Sequence, residues 1–160
     1  MNIAVNSYQI SSQNLYLLES KTNIIMNTGK FTKINYINES FTMNGIYIVF
    51  PIHNFIIEQF ENKKAIKFQF QHISNIAPLN DLIKLEQKIL DYYSSNKCRE
   101  YKKSLILKKQ LESGFMKVYR ETNMPLSNTN IKYLLKISGI WESNSEIGIT
   151  YKLFECSSLK

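Results

Sequence analysis

The stretch Ile131-Lys132-Tyr133-Leu134-Leu135-Lys136-Ile137-Ser138-Gly139-Ile140-Trp141 is followed by Glu142-Ser143-Asn144-Ser145-Glu146 and then Ile147-Gly148-Ile149-Thr150-Tyr151-Lys152-Leu153. In its first part the odd positions Ile131, Tyr133, Leu135, Ile137 and Trp141 are apolar, while Lys132, Lys136 and Ser138 take even ones. In its last part Ile147, Ile149, Tyr151 and Leu153 repeat the pattern, with Thr150 and Lys152 opposite. Successive side chains of a strand point to opposite faces, so a period of two marks a half-buried strand. A hairpin over 131–154 is expected, with one face in the core and Lys132, Lys136 and Lys152 on the other. By the same parity Trp141 belongs to the core or its rim.

The same period extends towards the N-terminus. Ile66 to Gln71 alternates apolar and polar, and Ile46-Tyr47-Ile48-Val49-Phe50 is a β-branched and aromatic run closed by Pro51, which cannot donate to a ladder. Phe31 to Ile37 is its expected partner across the loop Asn38 to Gly45. Asn14 to Glu19 is a weaker strand and Ile24-Ile25-Met26 an ambiguous one. The period then changes. After Pro78, Leu79, Leu82, Ile83, Leu85, Ile89, Leu90 and Tyr93 fall near helical spacing, and Asp81, Lys84, Glu86, Lys88 and Asp91 mark a wet face. The expectation is one β-dominated α+β domain over 1–160: strands within 14–72, a helix over about 79–94, a basic segment over 97–120 and the hairpin.

Composition excludes several classes. With 44% apolar and 12% aromatic residues the chain can bury a core, so full disorder is excluded. Cys98 and Cys156 are too few for a disulfide framework and are expected to be reduced. Met1 to Leu18 lacks a basic n-region and an apolar h-region, so no targeting segment is expected. Ser40 to Ile57 is free of charged residues but broken by Gly45 and Pro51, so no membrane span is expected there.

Few residues offer chemistry. His53 and His72 are not at metal-ligand spacing, and their expected role is structural. Cys98 sits among basic residues but has no visible base. The five glycines are isolated, which leaves no phosphate-cradling loop. The expectation is a protein without catalytic residues, metal or cofactor.

The charge is more informative. The net charge is +7, from 20 basic and 13 acidic residues. Lysines outnumber arginines 18 to 2, a skew typical of an AT-rich coding sequence. Between residues 97 and 120, eight basic residues face two acidic ones. Tyr101, Phe115 and Tyr119 are interleaved with them. Single-strand binders combine positive charge, which tracks the phosphates, with aromatic faces on which unpaired bases stack. The expected phosphate contacts are Lys102, Lys103, Lys108, Lys109, Lys117 and Arg120, with Lys132, Lys136 and Lys152 from the hairpin. Tyr47, Tyr101 and Tyr119 are the expected stacking rings; Tyr36, Tyr92 and Tyr93 are weaker candidates. The alternative is a solvated basic surface with its aromatic rings in the core.

Gly45-Ile46-Tyr47-Ile48-Val49-Phe50-Pro51, the strand Ile66 to His72, the helix, the Lys-rich segment and the strand pair around Leu135 to Glu142 and Ile147 to Leu153 follow one another in an order that resembles the single-stranded-DNA-binding proteins of nucleocytoplasmic large DNA viruses. The resemblance covers roughly residues 12 to 155. It implies an OB-like β-barrel with one principal helix, similar to phage-type single-strand binders. It also implies non-sequence-specific binding of single-stranded nucleic acid in viral replication, recombination or repair, in the host cytoplasm or nucleus. Compatible further partners are a second copy of the chain and virion or replication proteins. Many replicative binders end in an acidic tail, whereas this sequence ends Cys156-Ser157-Ser158-Leu159-Lys160. That departure gives weight to an alternative, a minor virion or assembly scaffold protein using the same β-fold for protein contacts.

Overall fold

The computed structural model describes residues 3–25, 29–120 and 131–157. In chain order its strands and helices are β1 (Leu15–Leu17), β2 (Lys21–Thr22), β3 (Lys30–Ile37), β4 (Thr42–Asn44), β5 (Ile46–Val49), β6 (Phe55–Phe60), β7 (Lys63–Phe68), α1 (Ile73–Lys97), β8 (Lys102–Ser104), α2 (Ile106–Ser113), β9 (Phe115–Arg120), β10 (Ile131–Glu142) and β11 (Glu146–Ser157). The class is α+β, dominated by strands.

The expected hairpin is present as β10 and β11, and the sheet is assembled around it. The strand path runs β1-β3-β10-β11-β9-β7-β6, with β2 and β4 on β3, β5 on β10 and β8 on β11. β1 and β6, the ends of the path, do not pair with each other, so the sheet is not closed into the OB-like barrel that the resemblance implies. Its inner face is filled by a long helix instead. Leu79, Leu82, Ile89 and Leu90 of α1 are buried in one core with Ile34, Ile46, Ile48, Leu135, Ile137, Ile140, Ile149 and Leu153 of the sheet.

Several expectations need correction. The helix starts at Ile73, not near Leu79: His72 caps it, its Nδ1 accepting from the Ser74 N–H at 3.2 Å, and Pro78 lies inside. So early in a helix a proline sacrifices one bond, to the carbonyl of exposed Ser74, which water can satisfy. Phe31 to Ile37 does not form a hairpin with the run after Gly45. β3 turns into β4, and β5 crosses to β10, where Ile48 faces Leu135 and Tyr47 faces Lys136. Of the ambiguous run at 24–26, Ile24 and Ile25 lie in a bend, and Met26 falls outside the described residues.

A further correction is Trp141. The β10–β11 register shifts between Ile137 and Gly139, leaving Ser138 as an extra residue. Such a bulge reverses the parity of everything beyond it. Tyr133, Leu135 and Ile137 face the helix before the bulge; Ile140 and Glu142 do so after it. Trp141 is therefore turned to the opposite face.

Glu86 is not on a wet face either. It is fully buried, and its carboxylate accepts the Leu107 and Lys108 N–H groups of α2, both at 2.9 Å. α2 has no side-chain cap of its own at Leu105, so a carboxylate from α1 closes its N-terminus. Burial raises the Glu86 pKa, and the backbone donors oppose that rise. A second buried cluster ties α1 to the sheet. The Tyr93 hydroxyl donates to Glu142 Oε2 at 2.6 Å and lies 3.3 Å from Thr32 Oγ1. Burial and the Glu142 carboxylate push the Tyr93 pKa up to about 12.

Candidate nucleic-acid interface

The sheet face turned away from α1 carries two rows of side chains. Residues opposite each other in a ladder share a face. Val49 is opposite Leu134, Leu134 opposite Phe154, and Phe154 opposite Tyr119, which makes an apolar and aromatic row across four strands. One step along, Tyr47 is opposite Lys136 and Lys136 opposite Lys152. Lys117, two residues before Tyr119 on β9, continues this second row. The lysines lean on the rings. Lys136 Nζ is 5.0 Å from the centroid of Tyr47, and Lys117 and Lys152 are 4.8 and 5.0 Å from that of Tyr119.

Two more rings come close to the sheet on this face where the backbone beside them is glycine. A Cβ at Gly148 would come within 2.5 Å of the Trp141 indole, and one at Gly139 within 2.7 Å of the Phe31 ring. Only a residue without a side chain leaves room for such an approach.

Like charges directly opposite each other across two strands are destabilising. Lys136 and Lys152 nevertheless stand opposite each other. Among the described residues none of Lys117, Lys136 and Lys152 forms a salt bridge, whereas Lys64, Lys67, Lys84, Lys103 and Lys108 all do. The arrangement concentrates positive charge, without a carboxylate partner among the described residues, beside half-buried aromatic rings.

The other sequence-derived residues are distributed differently. Lys132 is on the same face by strand alternation, near one end of β10. Lys102 is also on it, at the far edge, beside Glu146 of β11. Lys103 faces the helix side and pairs with Asp91 of α1. Lys108 and Lys109 are on α2, Lys108 within 4.0 Å of Glu112. Arg120 alternates to the side of Glu155, its ladder neighbour. Tyr101 packs on Tyr93 with ring centroids 6.1 Å apart and has Arg99 over it at 4.9 Å. Tyr36 and Tyr93 are buried, and the Tyr92 hydroxyl donates to the Leu15 carbonyl at 2.9 Å. These rings belong to the core and its margin.

Trp141, Phe31 and Phe154 are the residues that sequence reasoning missed. A signal existed in the glycines, since an isolated glycine within a strand pattern marks a bulge or a close approach. Of the histidines, His72 caps α1 and His53 donates its backbone N–H to Asn75 Oδ1 at 2.9 Å. Among the described residues no group of three or more His, Cys, Asp or Glu side chains is placed to hold a metal, and no helix is long and apolar enough to cross a membrane. Comparison with protein-family models, with curated proteins and with solved structures finds no match for this chain.

Proposed function

We propose that this protein binds single-stranded nucleic acid without strong sequence preference, through the sheet face opposite α1, and performs no chemistry on it. The observation that carries the reading is the row Lys117, Lys152 and Lys136, without a salt bridge among the described residues, beside the rings of Tyr47, Tyr119 and Trp141. Phosphates take the ammonium groups, and unstacked bases take the rings. DNA is the favoured strand and viral replication, recombination or repair the favoured setting, both because of the resemblance. An OB-like arrangement would survive only as a shared mode of binding on an open β-face.

Fluorescence anisotropy with labelled single-stranded and duplex oligonucleotides tests the reading. A clear preference for single strands is expected, because a duplex hides the base faces that the rings need. Equal affinity for duplex would reduce the face to a generic basic surface, and no binding at low salt would discard it.

A second reading, a virion or assembly scaffold, is favoured by β6. This strand ends the sheet, and its Ile56, Ile57 and Phe60 are 67%, 46% and 58% exposed. An open, apolar edge is a template for pairing with another chain. Self-association or capture of a protein partner without nucleic-acid binding would favour it.

A further inference from the structure

The outer edge of β11 is interrupted. β8 pairs with Glu146–Gly148 and β9 with Leu153–Glu155, so residues 149–152 between them have no strand partner on that side among the described residues. The chain from β8 to β9 passes through α2 rather than along the edge, and a notch of about 330 Å³ is left at the break. Trp141, Tyr119, Lys117, Thr150 and Lys152 line it from the sheet, and α2 supplies Gln110. Its size is at the lower end of the ~300–1,000 Å³ typical of small-ligand clefts.

The chemistry of this lining is specific. Three aromatic rings, Trp141, Tyr119 and Tyr151, offer apolar contact, and the Thr150 hydroxyl and the Gln110 amide, whose Nε2 also donates to the Phe115 carbonyl, offer donors and acceptors. Among the described residues no strand offers a ladder to the peptide groups of β11 that face the break. Two lysines without a carboxylate partner among the described residues sit at the same place. A planar ring edged with donors and acceptors, and carrying a phosphate, matches all of these at once.

We propose that the notch takes a single nucleobase of the bound strand, its ring against Trp141 and Tyr119 and its phosphate on Lys117 and Lys152. This rests on the nucleic-acid reading of the same face and adds to it a discrete subsite, which a mononucleotide alone should fill. A strand lying on the sheet would insert one base here and stack others on the neighbouring rings.

Trp141 is the only tryptophan of the chain, so its emission reports on the notch directly. The full chain would be titrated with thymidine monophosphate, adenosine monophosphate, inorganic phosphate and a labelled single-stranded oligonucleotide. Saturable quenching by a mononucleotide, at least tenfold weaker in Thr150→Phe (which fills the notch), is the expected result. Equal quenching by inorganic phosphate would overturn the proposal in favour of a plain anion site. Oligonucleotide binding with no mononucleotide response would overturn the notch and leave the interface standing. Binding of neither would overturn both.

Discussion

Lys136 and Lys152 stand opposite each other in the β10–β11 ladder, each with its amine near a tyrosine ring and neither in a salt bridge among the described residues. A like-charge pair of this kind costs stability in the free protein and gains from an anion laid across it. Stability and binding therefore pull in opposite directions at this point of the sheet.

The substitution Lys152→Glu separates the two. It turns the repulsive pair into an attractive one, which should stabilise the fold by about 0.2–1 kcal/mol. The same change removes a phosphate contact and adds a repulsive charge, so affinity for a single strand should fall by roughly tenfold or more, about 1.4 kcal/mol. Denaturant unfolding and anisotropy on one preparation check both. A variant that is less stable and binds as the parent does would show that the pair is structural.

Salt dependence distinguishes the face from the rest of the basic surface. If about 3–5 phosphates are neutralised, log affinity should fall against log salt with a slope of about −2 to −3.5 for a single strand. Lys117→Ala, Lys136→Ala and Lys152→Ala should each make it shallower by about 0.7. Lys103→Ala and Lys108→Ala should leave it unchanged, because those amines already lie near Asp91 and Glu112. The reverse ranking would move the interface to β8 and α2.

These two sets of lysines also show what could be read from the sequence. The hairpin was legible because two runs of period two flank a polar turn, and Pro51 marked the end of β5. Local pattern says nothing about which distant strand a run will meet, so the crossing of β5 to β10 was hidden, and with it the meeting of Tyr47 with Lys136. Charge counted along the chain favoured residues 97–120, yet Lys103 and Lys108 in that count lie near Asp91 and Glu112, and Lys117 lies in the row on the sheet. The row forms only when β9, β10 and β11 are laid side by side. Trp141 was misplaced by a single extra residue, Ser138, since strand parity carries no warning of a bulge. Glu86 fits a helical wet face until α2 is placed over it.

Glu86 also gives a pH dependence. Its folded pKa lies above the ordinary value of 4.5, so the folded chain holds this proton more tightly than the unfolded one. Stability from this group is therefore fully present below the ordinary value and declines as pH rises through the folded one. Glu86→Gln should remove that slope in the pH profile of unfolding while keeping an acceptor for α2. Glu86→Ala should cost about 1–3 kcal/mol at neutral pH, because the Leu107 and Lys108 N–H groups lose their buried partner. A wild-type profile that rises over the same interval would contradict the assignment.

The Trp141 platform depends on Gly148, which allows a test that leaves every aromatic residue in place. A methyl group at 148 would come within 2.5 Å of Cζ2 and 2.6 Å of Cε2 of the indole, so Gly148→Ala must lift the ring from the sheet. The strand pairing itself does not need the glycine, since Gly148 has a negative φ or an extended one and is absent from the positive-φ residues. The variant should stay folded, lose about 1–3 kcal/mol to overpacking and show a shifted tryptophan emission. If bases stack on the seated indole, single-strand affinity should drop by about 1–3 kcal/mol, as it should in Trp141→Ala. Duplex affinity, which draws only on the lysines, should hold in both. An emission shift with undiminished single-strand binding would mean that the indole merely covers the glycine, and stacking would then fall to Tyr47 and Tyr119.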